Sequence, residues 1–167
     1  MHCHLEILSQ NFPNYTFEKF AVGEDDANLE IIEYATSGLS SIKGLSNKYN
    51  YNDMNYDTSV KSRYMVEVTS LDSYLYSHTQ YQNIILKIDT QGFELEVLKG
   101  AKRLFESGKI KAVIVEVMTI EKYSQSVIYT EIFDYLHSFG FLIFDVYQSC
   151  YEDDGSVSEL DCVFIKY

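Results

Sequence analysis

At 167 residues the chain is most simply one domain over 1–167, long enough to bury a substantial core. Its 13 Lys and Arg against 25 Asp and Glu leave a formal charge of -12; such a surface repels phosphate backbones and anionic membranes, and with no cluster of positive residues, nucleic acid is not an expected partner. Cys3, Cys150 and Cys162 are odd in number and lack metal-ligand spacing, no apolar run approaches the ~20 residues of a membrane span, and the start carries no signal-peptide core, so the expected location is the cytoplasm.

Residues 2–10 (His2, Leu5, Ile7, Leu8) read as the tail of an amphipathic helix, followed by a turn from Asn11 to Asn14 around Pro13. Tyr15 to Val22 reads as a strand, Gly23 with the acidic run Glu24, Asp25, Asp26 as its exit loop, and Leu29 to Tyr34 as a further short strand. From Ala35 to Ser62 the sequence is polar, rich in Ser, Asn, Tyr and Gly, and without a clear period. A loop of that length is expected to be a mobile lid or locally disordered. Arg63 to Val68 returns to strand alternation, and Ser70 is placed to cap a short helix over Leu71, Asp72, Tyr74 and Leu75.

The central unit follows. Asn83 to Asp89 is a nearly continuous apolar strand, as expected of a parallel strand covered on both faces. Phe93 to Phe105 reads as one helix, with Phe93, Val97, Ala101 and Leu104 on a stripe. Ile110 to Val117 is a second apolar strand broken only by Glu116, which completes a βαβ unit with parallel strands. A helix over about 126–138 ends at Gly140, and Phe141 to Tyr147 with Leu160 to Tyr167 are two more strands, expected as an antiparallel hairpin at a sheet edge.

In a parallel pair the carboxyl ends of the strands share one edge of the sheet, where open α/β sheets bind ligands. Asp89 and Glu116 occupy those ends on neighbouring strands, ~5 Å apart across the ladder, so two acids are expected in one crevice. A shared site raises at least one carboxyl pKa, a condition for general base chemistry near neutral pH. Asp89 reads either as such a group or as a residue satisfying amides at the start of the Phe93 helix. Lys87 is either its ion-pair partner or a cation facing substrate. Glu94, in the first helical turn, is favoured by the helix dipole alone, whereas Glu116, isolated in an apolar strand, points to a functional or paired acid.

Other patterns are weaker. His2-Cys3-His4 resembles a metal tract without a second ligand cluster, so no metal site is expected. His78 and His137 read as surface residues. Neither a Gly-x-Ser-x-Gly elbow nor a phosphate loop occurs. The tyrosine-rich loop is either a stacking surface for sugars or bases or a solvated loop.

Leu86-Lys87-Ile88-Asp89-Thr90-Gln91-Gly92-Phe93-Glu94, followed by Val97-Leu98-Lys99-Gly100-Ala101, resembles the signature of the FkbM-type methyltransferases, Lys-Ile-Asp-x-Glu-Gly-x-Glu with a downstream Leu-Lys-Gly-Ala. Flanking pieces agree in order and spacing: Ala21-Val22-Gly23, Ser40-Ser41, the stretch from Val68 to Leu75, Val115-Glu116-Val117, and Leu136 with Gly140-Phe141. The resemblance implies a class I, Rossmann-like α/β fold: a mostly parallel sheet, helices on both faces and an antiparallel C-terminal hairpin. It implies S-adenosylmethionine as cofactor and methyl transfer to a hydroxyl of a sugar or small-molecule metabolite. Asp89, Glu116 and Lys87 would be catalytic; Gly23, Glu24, Ser41 and Asp89 would meet the cofactor; Gln91 and Glu94 would meet the substrate.

Gln91 stands where such motifs commonly carry Glu. A second departure lies at the start, where members of this fold have a strand with a glycine-rich Asp-x-Gly-x-x-x-Gly turn and a second strand ending in an acid. Neither occurs here, so the chain is expected to be an N-terminally truncated, C-terminal part of the domain, binding cofactor weakly or not at all. The missing first strand would lie between the Tyr15–Val22 and Asn83–Asp89 strands, leaving unpaired edges to be closed by pairing with another chain, as in a homo-oligomer. The alternative is a non-catalytic remnant acting as a binding or interaction module.

Overall fold

A computed structural model describes residues 12, 14–51, 56–75 and 80–167. The expected helix over 2–10, the turn at Pro13, the His2-Cys3-His4 tract and His78 lie outside the described residues.

The described strands form two sheets. In the first, β1 (Ala21–Val22) runs parallel to β3 (Val60–Thr69), and β2 (Ala27–Tyr34) lies antiparallel on the other side of β3. In the second, β4 (Ile84–Ile88) is parallel to β5 (Ile110–Met118), β5 is antiparallel to β7 (Val157–Lys166), and β7 is antiparallel to β6 (Phe141–Tyr151), giving the order β4-β5-β7-β6. The expected mostly parallel sheet is therefore corrected to two mixed sheets. Parallel pairing needs a crossover; in the second sheet the helical segment between β4 and β5 supplies one, whereas β6 and β7 are joined by a short turn.

The parallel βαβ unit and the C-terminal hairpin are as expected. The Tyr15–Val22 strand shrinks to Ala21–Val22, because residues 15–20 join no ladder. In the other direction, residues 60–62 lie in β3, where Val60 still pairs with Tyr34. The remainder of the polar stretch contains a 3-10 turn at Ser37–Leu39 and two isolated bridges, Ile32 to Ser41 and Leu45 to Tyr123. Ile32, Tyr34, Leu39 and Tyr51 form a small core of their own.

The helices are short: α1 (Leu71–Leu75), α2 (Glu94–Lys99), α3 (Lys102–Glu106) and α4 (Tyr129–Ser138). Ser70 caps α1 as expected, its Oγ accepting the Ser73 N–H at 3.1 Å. The single helix read over Phe93–Phe105 is instead α2 and α3, broken at Gly100-Ala101. Two long-range contacts hold the break. A Cβ on Gly100 would lie 1.9 Å from the Gly23 carbonyl oxygen, so only glycine permits that approach. The Asp72 carboxylate accepts the N–H groups of Arg103 (2.8 Å) and Leu104 (3.0 Å), capping α3 from a distant element.

The main core lies on one face of the second sheet, where Val113, Val115 and Val117 meet Leu98, Phe105, Ile132, Leu136, Phe141 and Phe164. Buried side chains of α2, α3 and α4 all join this cluster. The opposite face, with Ile85 69 % exposed and Phe144 62 % exposed, carries no helix among the described residues. That corrects the expectation of helices on both faces.

Candidate active site

The site begins where β4 stops. Register pairs Ile88 with Val115, so the next residues, Asp89 and Glu116, stand side by side at the carboxyl ends of the parallel pair. The chain must then turn sharply into α2. Gln91 and Gly92 do this with positive φ, 55° and 94°. At Gly92 a Cβ would also meet the Tyr123 Cβ at 2.8 Å, so both conformation and space demand glycine. At Gln91 the left-handed backbone is held by a tie from outside: Ser41 Oγ donates to the Gln91 carbonyl at 2.6 Å.

Glu94 secures the same turn. Its Oε1 accepts the Thr90 N–H (3.0 Å), the Thr90 hydroxyl (3.1 Å) and the Gly92 N–H (3.1 Å). The side chain is buried. Burial raises its pKa, and the backbone hydrogen bonds oppose but do not cancel that rise.

Gln91 links the acids. Its Nε2 donates to Asp89 Oδ1 at 2.9 Å and to Glu116 Oε2 at 3.2 Å, while its Oε1 accepts the Tyr123 hydroxyl at 2.6 Å. The amide orientation is set by this arrangement, since two acceptors lie on one side and a donor on the other. Lys87 Nζ lies 3.2 Å from Asp89 Oδ2, both groups half-exposed, so Lys87 pairs with Asp89, and it also lines the larger of the two cavities described below. A pair so exposed contributes ~1 kcal/mol or less. Partial burial would lower the Lys87 pKa, but Asp89, through a hydrogen bond and its charge, raises it on balance.

Glu116 is pushed up to about 8, first by burial and then by the charges of Glu159, Asp89, Glu94 and Asp161. At neutral pH it therefore carries its proton; above about 8 it becomes a carboxylate able to accept one.

Two cavities meet at this point. The larger, about 1070 Å³, runs between the sheets and is lined by Val22, Ser41, Leu86, Asp89 and Phe93 among others. The smaller, about 140 Å³, is lined by Leu39, Tyr51, Glu116, Lys122, Tyr123 and Glu159 among others. Gln91 lines both. The neighbouring acids thus face different spaces, Asp89 the larger and Glu116 the smaller, with the Gln91 amide between them.

Of the residues expected at a cofactor, Ser41 and Asp89 line the larger cavity. Gly23 and Glu24 are not in its lining. Gly23 instead donates its N–H to Thr69 (3.0 Å) and packs against Val68 and Phe93, and Glu24 is 3.8 Å from Lys99 at the surface. Glu94 lines neither cavity; its carboxylate is spent on the turn.

The sequence reading did not single out Lys122, Tyr123, Glu159 or Tyr51. Lys122 is buried, with Nζ 2.9 Å from Glu159 Oε1, 3.2 Å from Ser158 Oγ, 3.8 Å from Glu152 Oε1 and 5.0 Å from the centre of the Tyr49 ring. A buried ammonium is stable only with such partners. Tyr51 donates its hydroxyl to the Lys122 carbonyl. Burial pushes the Tyr51 hydroxyl up to about 12 and also raises that of Tyr123, so both remain protonated donors. The one signal in the sequence was position: Lys122 and Tyr123 follow β5 at the edge where ligands bind.

Among the described residues no helix is long and apolar enough to cross a membrane. Compared with curated proteins and with solved structures, the chain finds no match. The methyltransferase FkbM domain matches residues 5–143, a span that contains β4, β5 and the whole Asp89–Gln91–Glu116–Tyr123 cluster. By that match, over most of its length, the chain belongs to the FkbM methyltransferase family.

Proposed function

We propose that this methyltransferase domain uses S-adenosylmethionine to methylate a hydroxyl of a sugar or small-molecule metabolite, with Asp89 and Glu116 as its working acids. The observation that carries the reading is the Gln91 amide, bonded to both carboxyl groups at the junction of two cavities. When bound, the cofactor supplies an electrophilic methyl group on a positively charged sulfur. The larger cavity suits it: the volume is ample for a ligand of that size, Val22, Leu86 and Phe93 offer apolar walls, and Asp89 offers negative charge. Asp89 would favour the cationic donor, and Ser41 would fix the turn that aims Asp89. Glu116, on the other side of Gln91, would orient the acceptor hydroxyl and take its proton.

Among the described residues, β1 pairs only with β3 and β4 only with β5, and the larger cavity lies between them. A strand from another copy or another chain pairing at these edges would complete the cleft. Weak cofactor binding by the chain alone follows from this reading.

The alternative, a non-catalytic module, is favoured by Gly23 and Glu24 lying away from the cavity. Titration calorimetry with S-adenosylmethionine separates the two. Saturable binding, even if weak, that Asp89→Asn reduces supports the enzyme; no heat at any soluble concentration supports the module. In the assembled, active protein, Asp89→Asn is expected to lower transfer of labelled methyl to a hydroxyl acceptor by at least about tenfold with an unchanged melting curve. Unchanged turnover refutes the role of Asp89.

A further inference from the structure

We propose that Lys43 is a positioning residue: anchored to two other parts of the chain, it locks the segment from Ser41 to Lys43, and through Ser41 it holds Gln91 in place between Asp89 and Glu116. That the two acids need a fixed Gln91 rests on the methyl-transfer reading; the link from Lys43 to Gln91 does not.

Strain marks the place. Glycine aside, the described residues with positive φ are Gln91 (55°) and Gln125 (59°), a conformation that side chains disfavour and that persists where the surroundings hold it. Both lie beyond the carboxyl ends of the parallel strands, Gln91 after β4 and Gln125 after β5. One short segment holds them both. Ser41 Oγ donates to the Gln91 carbonyl at 2.6 Å, and Lys43 Nζ donates to the Gln125 carbonyl at 2.9 Å.

Lys43 is the anchored end of that segment. Its side chain is 13 % exposed, and its Nζ lies 2.8 Å from Glu96 Oε1 and 5.8 Å from the centre of the Phe93 ring. Phe93 and Glu96 belong to the start of α2, the helix into which the Gln91 turn leads. The other Glu96 oxygen, Oε2, is buried without a hydrogen-bond partner among the described residues. The Lys43 ammonium therefore balances a carboxylate that has little else, and such a pair resists separation. Beyond Lys43 the segment stays tied to the chain after β5: the Ser124 N–H donates to the Gly44 carbonyl at 2.7 Å, and Leu45 bridges to Tyr123.

Ser41 turns this anchorage into alignment. Its Oγ accepts the Lys43 N–H at 3.0 Å while donating its own proton to the Gln91 carbonyl; a hydroxyl does both at once, and its direction is then set from both sides. With its carbonyl held, Gln91 reaches Asp89 and Glu116 through Nε2. Lys43 itself is in the lining of neither cavity, so it acts through Gln91.

The test follows the Gln91 side-chain amide by ¹⁵N NMR in the chain without cofactor, in the parent, Lys43→Met, Lys43→Arg and Ser41→Ala. Bonded to two carboxyl groups, its protons should exchange slowly in the parent. Lys43→Met, similar in length but uncharged, should speed that exchange at least about tenfold, ~1.4 kcal/mol, while the Leu98 backbone amide stays as protected as before. Lys43→Arg keeps the charge and should restore slow exchange. Ser41→Ala should match Lys43→Met, and the double variant should go little further than either, because both cut one chain of contacts. If Lys43→Met does not fold, Lys43→Met with Glu96→Gln, which leaves no unpaired charge, takes its place. Unchanged Gln91 exchange in Lys43→Met overturns the proposal, as do effects of Lys43→Met and Ser41→Ala that simply add. Fast exchange in Lys43→Arg overturns it by removing the role of the charge, and an equal loss of protection at Leu98 by making Lys43 a stabiliser of the whole fold. Because no cofactor or acceptor is present, Gln91 can depend on Lys43 where Asp89→Asn leaves turnover unchanged, and the reverse, so the two readings fail separately.

Discussion

Around β5 the buried side chains meet one another, whereas around β2 they reach for the backbone. Val113, Val115, Val117, Leu98 and Leu136 are fully buried in one dry cluster. The smaller cluster of Ile32, Tyr34, Leu39 and Tyr51 is held by hydroxyls: Tyr34 accepts the Leu45 N–H at 3.1 Å, and Tyr51 donates to the Lys122 carbonyl. The first kind of contact is collective and sets where strands end; the second ties loops to those ends one bond at a time. The site lies where they meet. The dry core places Asp89 and Glu116, and the hydroxyl-rich region supplies Ser41, Tyr51 and the cavity walls.

Equal truncations in the two cores should have unequal costs. Leu98→Ala should cost ~3 kcal/mol or more by denaturant titration, because the cavity it leaves sits in a fully packed cluster. Leu39→Ala, in the small core beside an existing cavity, should cost about half as much or less. Equal losses would mean the two regions form one cooperative core.

A second test concerns the acid at the junction. The Glu116 carboxyl is about 8 in the folded chain against ~4.3 in an unfolded one. As pH rises through that window, the unfolded chain releases the proton while the folded chain keeps it, so stability falls with rising pH. Glu116→Gln removes that fall. The variant should gain ~1 kcal/mol or more relative to the parent between pH 5 and pH 8, read from melts across pH. Under the proposed methyl transfer, activity should rise with pH through about 8, and the variant should lose both that rise and at least about tenfold in rate. A parallel pH dependence in parent and variant would remove Glu116 as the proton acceptor.

The smallest expected effect is that of a single tie. Tyr51→Phe deletes the hydroxyl that reaches Lys122 and should cost ~1 kcal/mol, with Leu98 amide exchange protection unchanged. A loss of protection there would show that the ties, and not the dry core alone, hold the strand ends.

Much of this arrangement was legible in the sequence. Periodicity located β4 and β5, and the chain distance between them required a crossover and hence parallel strands. From parallel strands it follows that Asp89 and Glu116 are neighbours. Ser70 announced its cap and Gly140, with φ 82°, the turn after α4. The break between α2 and α3 was not legible, because the apolar stripe runs through it; Gly23 and Asp72, far off in sequence, make it. The hairpin of β2 and β3 escaped for a related reason: its turn region is polar and aperiodic, and its tyrosines look solvated until their hydroxyls find partners. Lys122 was not singled out, because the acids that bury it, Glu152 and Glu159, lie thirty or more residues away.

What the sequence determined by itself is local and periodic: the βαβ unit, the glycine at the turn, and two carboxyl groups at one sheet edge. These follow from strand geometry and from conformations only certain residues adopt. The tertiary structure alone decided that the two acids face separate cavities. It also decided that Gln91 borders both, and that Lys122 is buried and neutralised beside them. Those facts depend on hydrogen bonds and ion pairs between residues distant in the chain, and no local pattern encodes which of many polar side chains will meet.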